Sequence, residues 1–430
     1  MFHLGCFVSF RPPVWNNPLF DNADAESWPE GDIYLHLAKQ YDKAGFDYLM
    51  FEDSSMVSDI HGGTMEADLK HSLYAPKHDP VLLAPLLADA TKGLGIITTV
   101  STSFTPPFML ARSMTTLSHL SSGRIGWNMV TSSEDRAAQN YGMDELPDHD
   151  ERYQRADEYV DVVKGLWETW DPDAVVLDKE TGTFVDHEKV HTLDHEGEYF
   201  KVRGPLNALP PYGGQPVLCQ AGASPRGRDF AARNADTIIA SAQGPEAMKA
   251  LRDDMRERAE KFGRDPDSLK VMFVVTPMLG ADDAEVARLK QLAERPDDVR
   301  VESTLGHLSC LTENDFSTFD LDAVVPEVTT NGHRSTLENF LIRGKGKTLR
   351  EIASTWGLDC VPLEGTPDAV AERMGEVMDF VGGDGFLITG QVSRAHIDRI
   401  ADGLVPALQA RGLTRTEYTG TTMRENLMAF

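Results

Sequence analysis

Residues 124–133 read RIGWNMVTSS, an apolar run that ends in an indole, a carboxamide and three hydroxyls. A strand that only packs normally runs into Gly, Pro, Asn or Asp and turns away. Here Asn128, Thr131, Ser132 and Ser133 crowd the end of the run, and other runs finish in the same manner. YLMFED closes on Asp53, GIITTVST carries Thr98, Thr99, Ser101 and Thr102, and PVLCQAG leads into Ser224. Any one of these is explained by a helix cap or a turn. At the same end of four successive strands they make one polar crescent, able to hold a ligand through hydrogen bonds.

Two helix starts add to the crescent. In CQAGASPRGRDFAARNAD (219–236), Gly222 permits close backbone approach, Ser224 is an N-cap residue and Pro225 fits the first helical position. The free N–H groups there, with Arg226 and Arg228 nearby, suit a phosphate in an otherwise acidic chain. In PDHDERYQRADEYVDVVKGLW (147–167), Asp148 and Glu151 have capping-box spacing, and Tyr153, Ala156, Val160, Val163 and Trp167 form the buried stripe. His149 lies four residues before Tyr153, so the two share a helix face. Helix logic alone makes His149 an exposed N-terminal residue; converging on the crescent with Tyr153, it would meet the ring edge or phosphate of a cofactor.

Other signals fail. RGKGKT (343–348) has Leu341 where a P-loop needs glycine, no GxGxxG follows the first strand, and no Ser or Cys sits in a GxSxG elbow. His61, His71 and His78 lack the spacing of a metal site, so no metal is expected.

The elements that must position these groups are legible as apolar runs at 3–10, 48–53, 94–102, 124–132, 216–222, 235–242, 270–277 and 385–390. Helical patterns lie at 30–44, 79–92, 106–120, 150–168, 225–234, 245–262, 282–294, 366–380 and 394–411. Eightfold strand–helix alternation, with strands apolar on both faces, predicts an α/β fold, a closed (β/α)8 TIM barrel, as one domain over 1–430. Three connections are too long for simple barrel loops: 54–78, 168–215 and 295–365. The second has the look of a small hairpin excursion. The first and third leave strand C-termini, so they are expected to form a lid or pocket walls. In the third, Phe316, Phe319 and Phe340 could line an aromatic slot, while Arg334, Arg343, Lys345, Lys347 and Arg350 could bind an anion.

The net charge of −27 excludes nucleic acid and acidic membrane surfaces as partners. No apolar run approaches the roughly 20 residues of a membrane span, and the N-terminus does not read as a signal peptide. Cys6, Cys219, Cys310 and Cys360 are far apart without a CxxC pair, which points to a reducing compartment and a cytoplasmic protein.

Three long stretches, GRIGWNMVTSSEDRAAQNYG (123–142), HDERYQRADEYVDVVKGLW (149–167) and QAGASPRGRDFAARNAD (220–236), resemble the nitrilotriacetate/dibenzothiophene-sulfone monooxygenase family. So do DGFLITG (384–390) and VPALQARGLTRTEYTGTTMRENL (405–427), and the family belongs to the bacterial-luciferase-like flavin monooxygenases. The resemblance implies a barrel enzyme that uses FMN as FMNH2, with O2 as co-substrate activated as a (hydro)peroxyflavin. It also implies a separate NAD(P)H:flavin reductase, a small-molecule substrate and a homo-oligomer. Position by position, Asp53 and Thr99 match the family's flavin contacts at strands two and three. Asn128 matches its asparagine at the ring edge, His149 and Tyr153 its contacts at the start of helix four, and Ser224 its phosphate ligand. An alternative on the same barrel is a deazaflavin- or flavin-dependent hydride-transfer enzyme; a flavin-storage protein is a third class. The resemblance does not choose among sulfur, nitrogen and halogen compounds as substrate, nor between C4a and N5 of the flavin, and no general base follows from it. The final LMAF departs from the Gly-Leu pair that relatives often carry.

Overall fold

A strand covered on both faces is mostly apolar, and all eight apolar runs form strands of the barrel. The computed structural model describes residues 1–13, 22–293, 297–325, 327–390 and 392–430. Strands β1 (His3–Ser9), β2 (Tyr48–Glu52), β3 (Gly95–Ser101), β4 (Ile125–Val130), β5 (Val217–Gln220), β6 (Thr237–Ala240), β7 (Lys270–Val275) and β8 (Gly385–Ile388) follow one another around a closed barrel. The neighbouring pairs are parallel, and β8 returns to β1 with His3 opposite Gly385. The expected TIM barrel is therefore observed. Around it pack α1 (Asp32–Ala44), α2 (Pro80–Asp89), α3 (Pro107–Leu120), α4 (His149–Trp167), α5 (Pro225–Asn234), α6 (Pro245–Lys261), α7 (Asp283–Ala293) and α8 (Pro367–Val381). A last helical stretch runs from Arg394 to Ala410. The boundary expected between α7 and the third insertion, at 294–295, lies outside the described residues.

Strand alternation decides what the barrel contains. Tyr48, Met50, Ile97, Cys219, Met272, Val274 and Leu387 fill the interior, with Met423 and Leu427 of a short C-terminal helix closing the floor. The Tyr48 hydroxyl reaches across to Thr237 Oγ1 at 3.0 Å. Polar groups are excluded from this layer except as such pairs, so the hollow for a ligand lies above it, at the strand C-termini. At the floor, the departing tail is anchored: the Phe430 ring stacks on His3 at 4.3 Å, and Lys270 donates to the Phe430 carbonyl.

The three insertions have different constructions. Residues 168–215 carry two small hairpins, Val175–Asp178 with Thr183–Val185 and His195–Glu196 with Lys201–Val202. The first insertion is organised by buried Asp68, whose carboxylate accepts from the backbone N–H groups of Ser58, Tyr74 and Ala75. The third contains the helices Asp297–Thr312, Arg334–Gly344 and Leu349–Thr355, packed on a core of their own. The two strand-end insertions clasp each other: Lys70 and His71 both reach Glu302, and Tyr74 stacks on His307 with ring centroids 5.3 Å apart.

Candidate active site

The inward-facing side chains at the tops of the first four strands form a continuous arc. Thr99 is buried, and its hydroxyl donates to the Phe51 carbonyl at 2.7 Å. Asn128, also buried, donates from Nδ2 to Thr99 Oγ1 at 2.8 Å. That leaves Asn128 Oδ1 without a hydrogen-bond partner, a costly state for a buried acceptor and one that an incoming N–H donor relieves. The hydroxyls after Asn128 are used differently. Ser132 bonds Ser101 at 2.7 Å and Ser133 donates to Glu134, so these two fasten loop to loop, whereas Thr131 bonds the Tyr153 side chain. Thr98 points to the opposite side of β3, beneath the helices, by strand alternation. Thr102 donates to the Val130 carbonyl and likewise ties β3 to β4.

A second group assembles where α4 and α5 begin. Ser224 caps α5, its hydroxyl accepting from Gly227 N at 3.0 Å, with Pro225 at the first helical position. His149 Nε2 lies 3.3 Å from Ser224 Oγ, and the His149 and Tyr153 rings are 5.1 Å apart. The Tyr153 hydroxyl accepts from Gln220 Nε2 at 3.3 Å. Two glycines leave room here. A Cβ on Gly222 would stand 2.7 Å from the Tyr153 hydroxyl, and one on Gly227 would stand 2.8 Å from it and 3.1 Å from Ser224 Oγ. Burial lowers the His149 pKa, and Arg334 and Arg152 add to this against the bond from Asp150. His149 is 7% exposed, so helix logic, which left it in solvent, is overruled by the insertion folded over it.

That insertion also replaces the expected capping box. Asp148 is the N-cap of α4, but its side chain makes no cap bond. Instead Asn331 Oδ1 accepts from His149 N at 2.9 Å, while the Asn331 carbonyl accepts from Arg152. Buried Arg152 keeps an unpaired Nε beside this seat. Arg226 and Arg228, expected to supply positive charge, are turned to Asp157 and Asp254.

Asp53 stands apart from both groups. Tyr48 and Met50 are interior, so the period of two puts Glu52 into the hollow, and Asp53 follows directly after the end of β2. Glu52 accepts from Ser9 Oγ at 2.6 Å and from the nearly buried Lys77 at 2.9 Å. Burial alone would raise the Glu52 pKa, but the Lys77 charge and the bonds from Ser9 and Lys77 outweigh it and bring it to about 2. Asp53 goes the other way: burial raises it to about 7 against the pull of Lys77, helped by Glu52 and Asp79. A carboxyl whose pKa is higher folded than unfolded makes the native state bind more protons between about pH 4 and 7, so stability falls as pH rises through that window. Asp53→Asn is therefore expected to melt at a higher temperature than the parent at pH 8 and at nearly the same temperature at pH 4. Scanning calorimetry at the two pH values checks this; a gap largest at pH 4 would show that burial is not the cause.

The third insertion roofs the hollow. His307 is driven down to about 4 by burial, with Arg11 adding to the shift. His333 lies 4.0 Å from Glu134 and keeps 46% of its side-chain surface open, yet loss of hydration still lowers its pKa. The two other expectations for this segment are corrected. Phe316 and Phe340 are fully buried in the insertion's own core, with Phe319 and Trp356 packed against it, so they do not form a slot. Arg343 bonds the carbonyls of Gly357 and Thr355 and Arg350 pairs with Asp322, so these two are turned away from a shared ligand, whereas Arg334 stands 3.8 Å from Asp150 beside His149.

A family model described as luciferase-like monooxygenase matches residues 22–384 of this chain. The chain belongs to the luciferase-like monooxygenase family. It is 35% identical to a dibenzothiophene-sulfone monooxygenase of Rhodococcus erythropolis (strain XP), over 99% of this chain and 96% of the relative. It is 32% identical to nitrilotriacetate monooxygenase component A of Aminobacter aminovorans, over 92% of this chain and 89% of the relative. Among solved structures, a riboflavin lyase with modified FMN and riboflavin superposes with a TM-score of 0.90 at 29% identity, covering 100% of this chain and 96% of that one. The expected family and enzyme class thus hold: this luciferase-like monooxygenase is a flavin-dependent monooxygenase. Among its described residues no helix is long and apolar enough to cross a membrane.

The residues present fit a flavin nucleotide. The orphaned Asn128 Oδ1 suits the donor edge of a ring system, and the glycine-lined space beside Ser224, His149 and Tyr153 suits a phosphate. Glu52, Lys77, Asn331, His307 and His333 were not singled out as site residues from the sequence. Only Glu52 carried a readable signal, the alternation of YLMFE; the other four depend on which distant segment folds back over the mouth.

Proposed function

We propose that this luciferase-like monooxygenase is the oxygenase component of a two-component system. It takes FMNH2 from a separate NAD(P)H:flavin reductase and uses O2 to oxygenate a small organic substrate. The observation that carries the reading is the pair of buried groups at one barrel mouth: the Thr99–Asn128 pair with its unsatisfied acceptor, and the seat of Ser224, His149 and Tyr153. When bound, reduced FMN supplies two electrons, with which O2 delivers one atom to the substrate and the other leaves as water.

The chain's own residues bind, orient and exclude. Ser224 and Tyr153 present hydroxyls to the phosphate, and His149, on taking a proton at Nε2, becomes a third donor. Asn128 and Thr99 fix the ring edge, and Asp53, beside Lys77, stands at the mouth. The strand-end insertions shut out bulk water, which would otherwise divert the activated oxygen to peroxide. The alternative, hydride transfer on the same barrel, has less support, since the relatives named above are monooxygenases.

Ser224→Ala or Tyr153→Phe is expected to weaken FMNH2 binding about ten- to a hundredfold, as for one lost charge-assisted hydrogen bond. Anaerobic fluorescence titration measures this. Parental affinity in both variants would remove the phosphate seat. Admitting air to the anaerobic FMNH2 complex then tests the oxygenase reading: O2 uptake with incorporation into a substrate from a sulfur-, nitrogen- and halogen-bearing panel is expected. Turnover by reduced deazaflavin without O2 would replace it with the hydride-transfer alternative.

A further inference from the structure

At the opposite end of the barrel from the flavin site, the structure holds a cavity of about 360 Å³ whose walls are basic. Four cations converge on it from four elements: Lys164 from the end of α4, Arg233 from α5, Arg264 from the approach to β7, and Arg424 from the C-terminal helix. In a chain of net charge −27 such a gathering runs against the overall field.

The local charges do not cancel. Asp236 takes both ends of the Arg424 fork at 2.7 Å and also accepts from Leu218 N, so it is committed first to Arg424. Arg233 is matched by Asp161 at 2.9 Å and Asp157 at 3.4 Å. Lys164, by contrast, donates to the neutral Asn234 Oδ1 at 3.0 Å. Arg264 spends its hydrogen bonds on the carbonyls of Ala232 and Ala235 and on Ser268 Oγ, with Asp236 only at 4.0 Å. Burial lowers the Lys164 pKa, and the charges of Arg264 and Arg233 add to this against the pull of Asp236 and Asp161. Lys164 and Arg264 thus make their hydrogen bonds to neutral acceptors, with Asp236 as the nearby carboxylate that they share with Arg424.

We propose that this recess is a binding site for a small tetrahedral oxyanion of the phosphate class, clasped between Lys164 and Arg264. Lys164 and Arg264 reach the recess from separate elements, an arrangement that suits a tetrahedral anion better than a planar carboxylate facing one arginine fork. The wall is otherwise polar, with Leu218 as its apolar member, so the ligand is the anion itself or the phosphate end of a small polar molecule. The site is distinct from the seat at Ser224, which lies at the other end of α4 and α5.

Isothermal titration of the full-length, flavin-free protein with inorganic phosphate, at low ionic strength with chloride as control, tests the proposal. Saturable binding of one phosphate per chain at this recess, raising Tm, is expected. Lys164→Met should weaken it tenfold or more, and Lys164→Arg should restore most of it. Arg264→Gln, which keeps a donor for the Ala232 and Ala235 carbonyls, should weaken it similarly. Ser224→Ala should leave it unchanged, because that residue belongs to the other seat. No saturable phosphate binding in the parent would overturn the proposal. So would binding that survives Lys164→Met and Arg264→Gln but vanishes in Ser224→Ala, which would place the anion in the flavin phosphate seat. Binding of glycerol phosphate with a larger Tm shift than phosphate would mark the ligand as a phosphate monoester; an equal shift would mark it as the free ion.

Discussion

Gly222→Ala is expected to lower FMNH2 affinity a hundredfold or more while the protein still folds. The added methyl would lie 2.7 Å from the Tyr153 hydroxyl, well inside contact distance. Tyr153 cannot retreat, because it is buried between His149 at 5.1 Å and Phe230 at 5.5 Å. Nor can Gly222 move easily, since its N–H is held by Gln220 Oε1 at 2.5 Å. Relief by shifting the strand end costs about 1–3 kcal/mol in strain and displaces the phenol that the phosphate would meet. A hundredfold corresponds to about 2.7 kcal/mol, within reach of the strain and the lost hydrogen bond together. Gly357→Ala is the control, as a Cβ there meets nothing within 4 Å. Near-parental Tm with weak anaerobic binding is expected for Gly222→Ala. Parental affinity would show that the phosphate seat lies elsewhere.

Phe340→Ala is expected to melt the third insertion without melting the barrel. Phe340 has no exposed surface and packs on Phe316 at 5.6 Å and Trp356 at 5.3 Å. Truncating such a residue costs about 3–5 kcal/mol, and the cluster it supports is separate from the barrel core. The functional result should be uncoupling: flavin oxidation continues, product falls at least tenfold and hydrogen peroxide takes its place. Limited proteolysis should cut within 297–365 and leave a barrel that still unfolds cooperatively. A single early loss of all structure would mean that the insertion and barrel are one unit.

Much of this architecture was readable from the chain because each barrel strand is short, apolar on both faces and followed by a helix that declares its start. Pro225 after Ser224 is one such declaration, and the cap it predicts is present. The site was readable to the extent that strand ends place side chains. Thr99 and Asn128 share a register pair, and they meet. Asp53 was read from its position after β2, and the alternation within β2 adds Glu52, which that reading did not name. The third insertion resisted because its composition allows two outcomes. Phenylalanines in a long polar loop serve a pocket or a private core, and only the packing of Leu305, Leu308, Leu337 and Ile352 around Phe316 and Phe340 selects the core. Asn331 resisted for another reason: its partner, His149, is 182 residues away.

The Asn331 amide carries an evolutionary consequence. Because it caps the very helix that presents His149 and Tyr153, the segment proposed to shape substrate choice is also a structural component of the proposed nucleotide seat. A lineage that imports a foreign roof would reset its grip on reduced FMN in the same step, unless a side-chain amide is retained at that position. On the proposed function, substrate range and cofactor retention would therefore be inherited together, and directed evolution that selects for one would drag the other along.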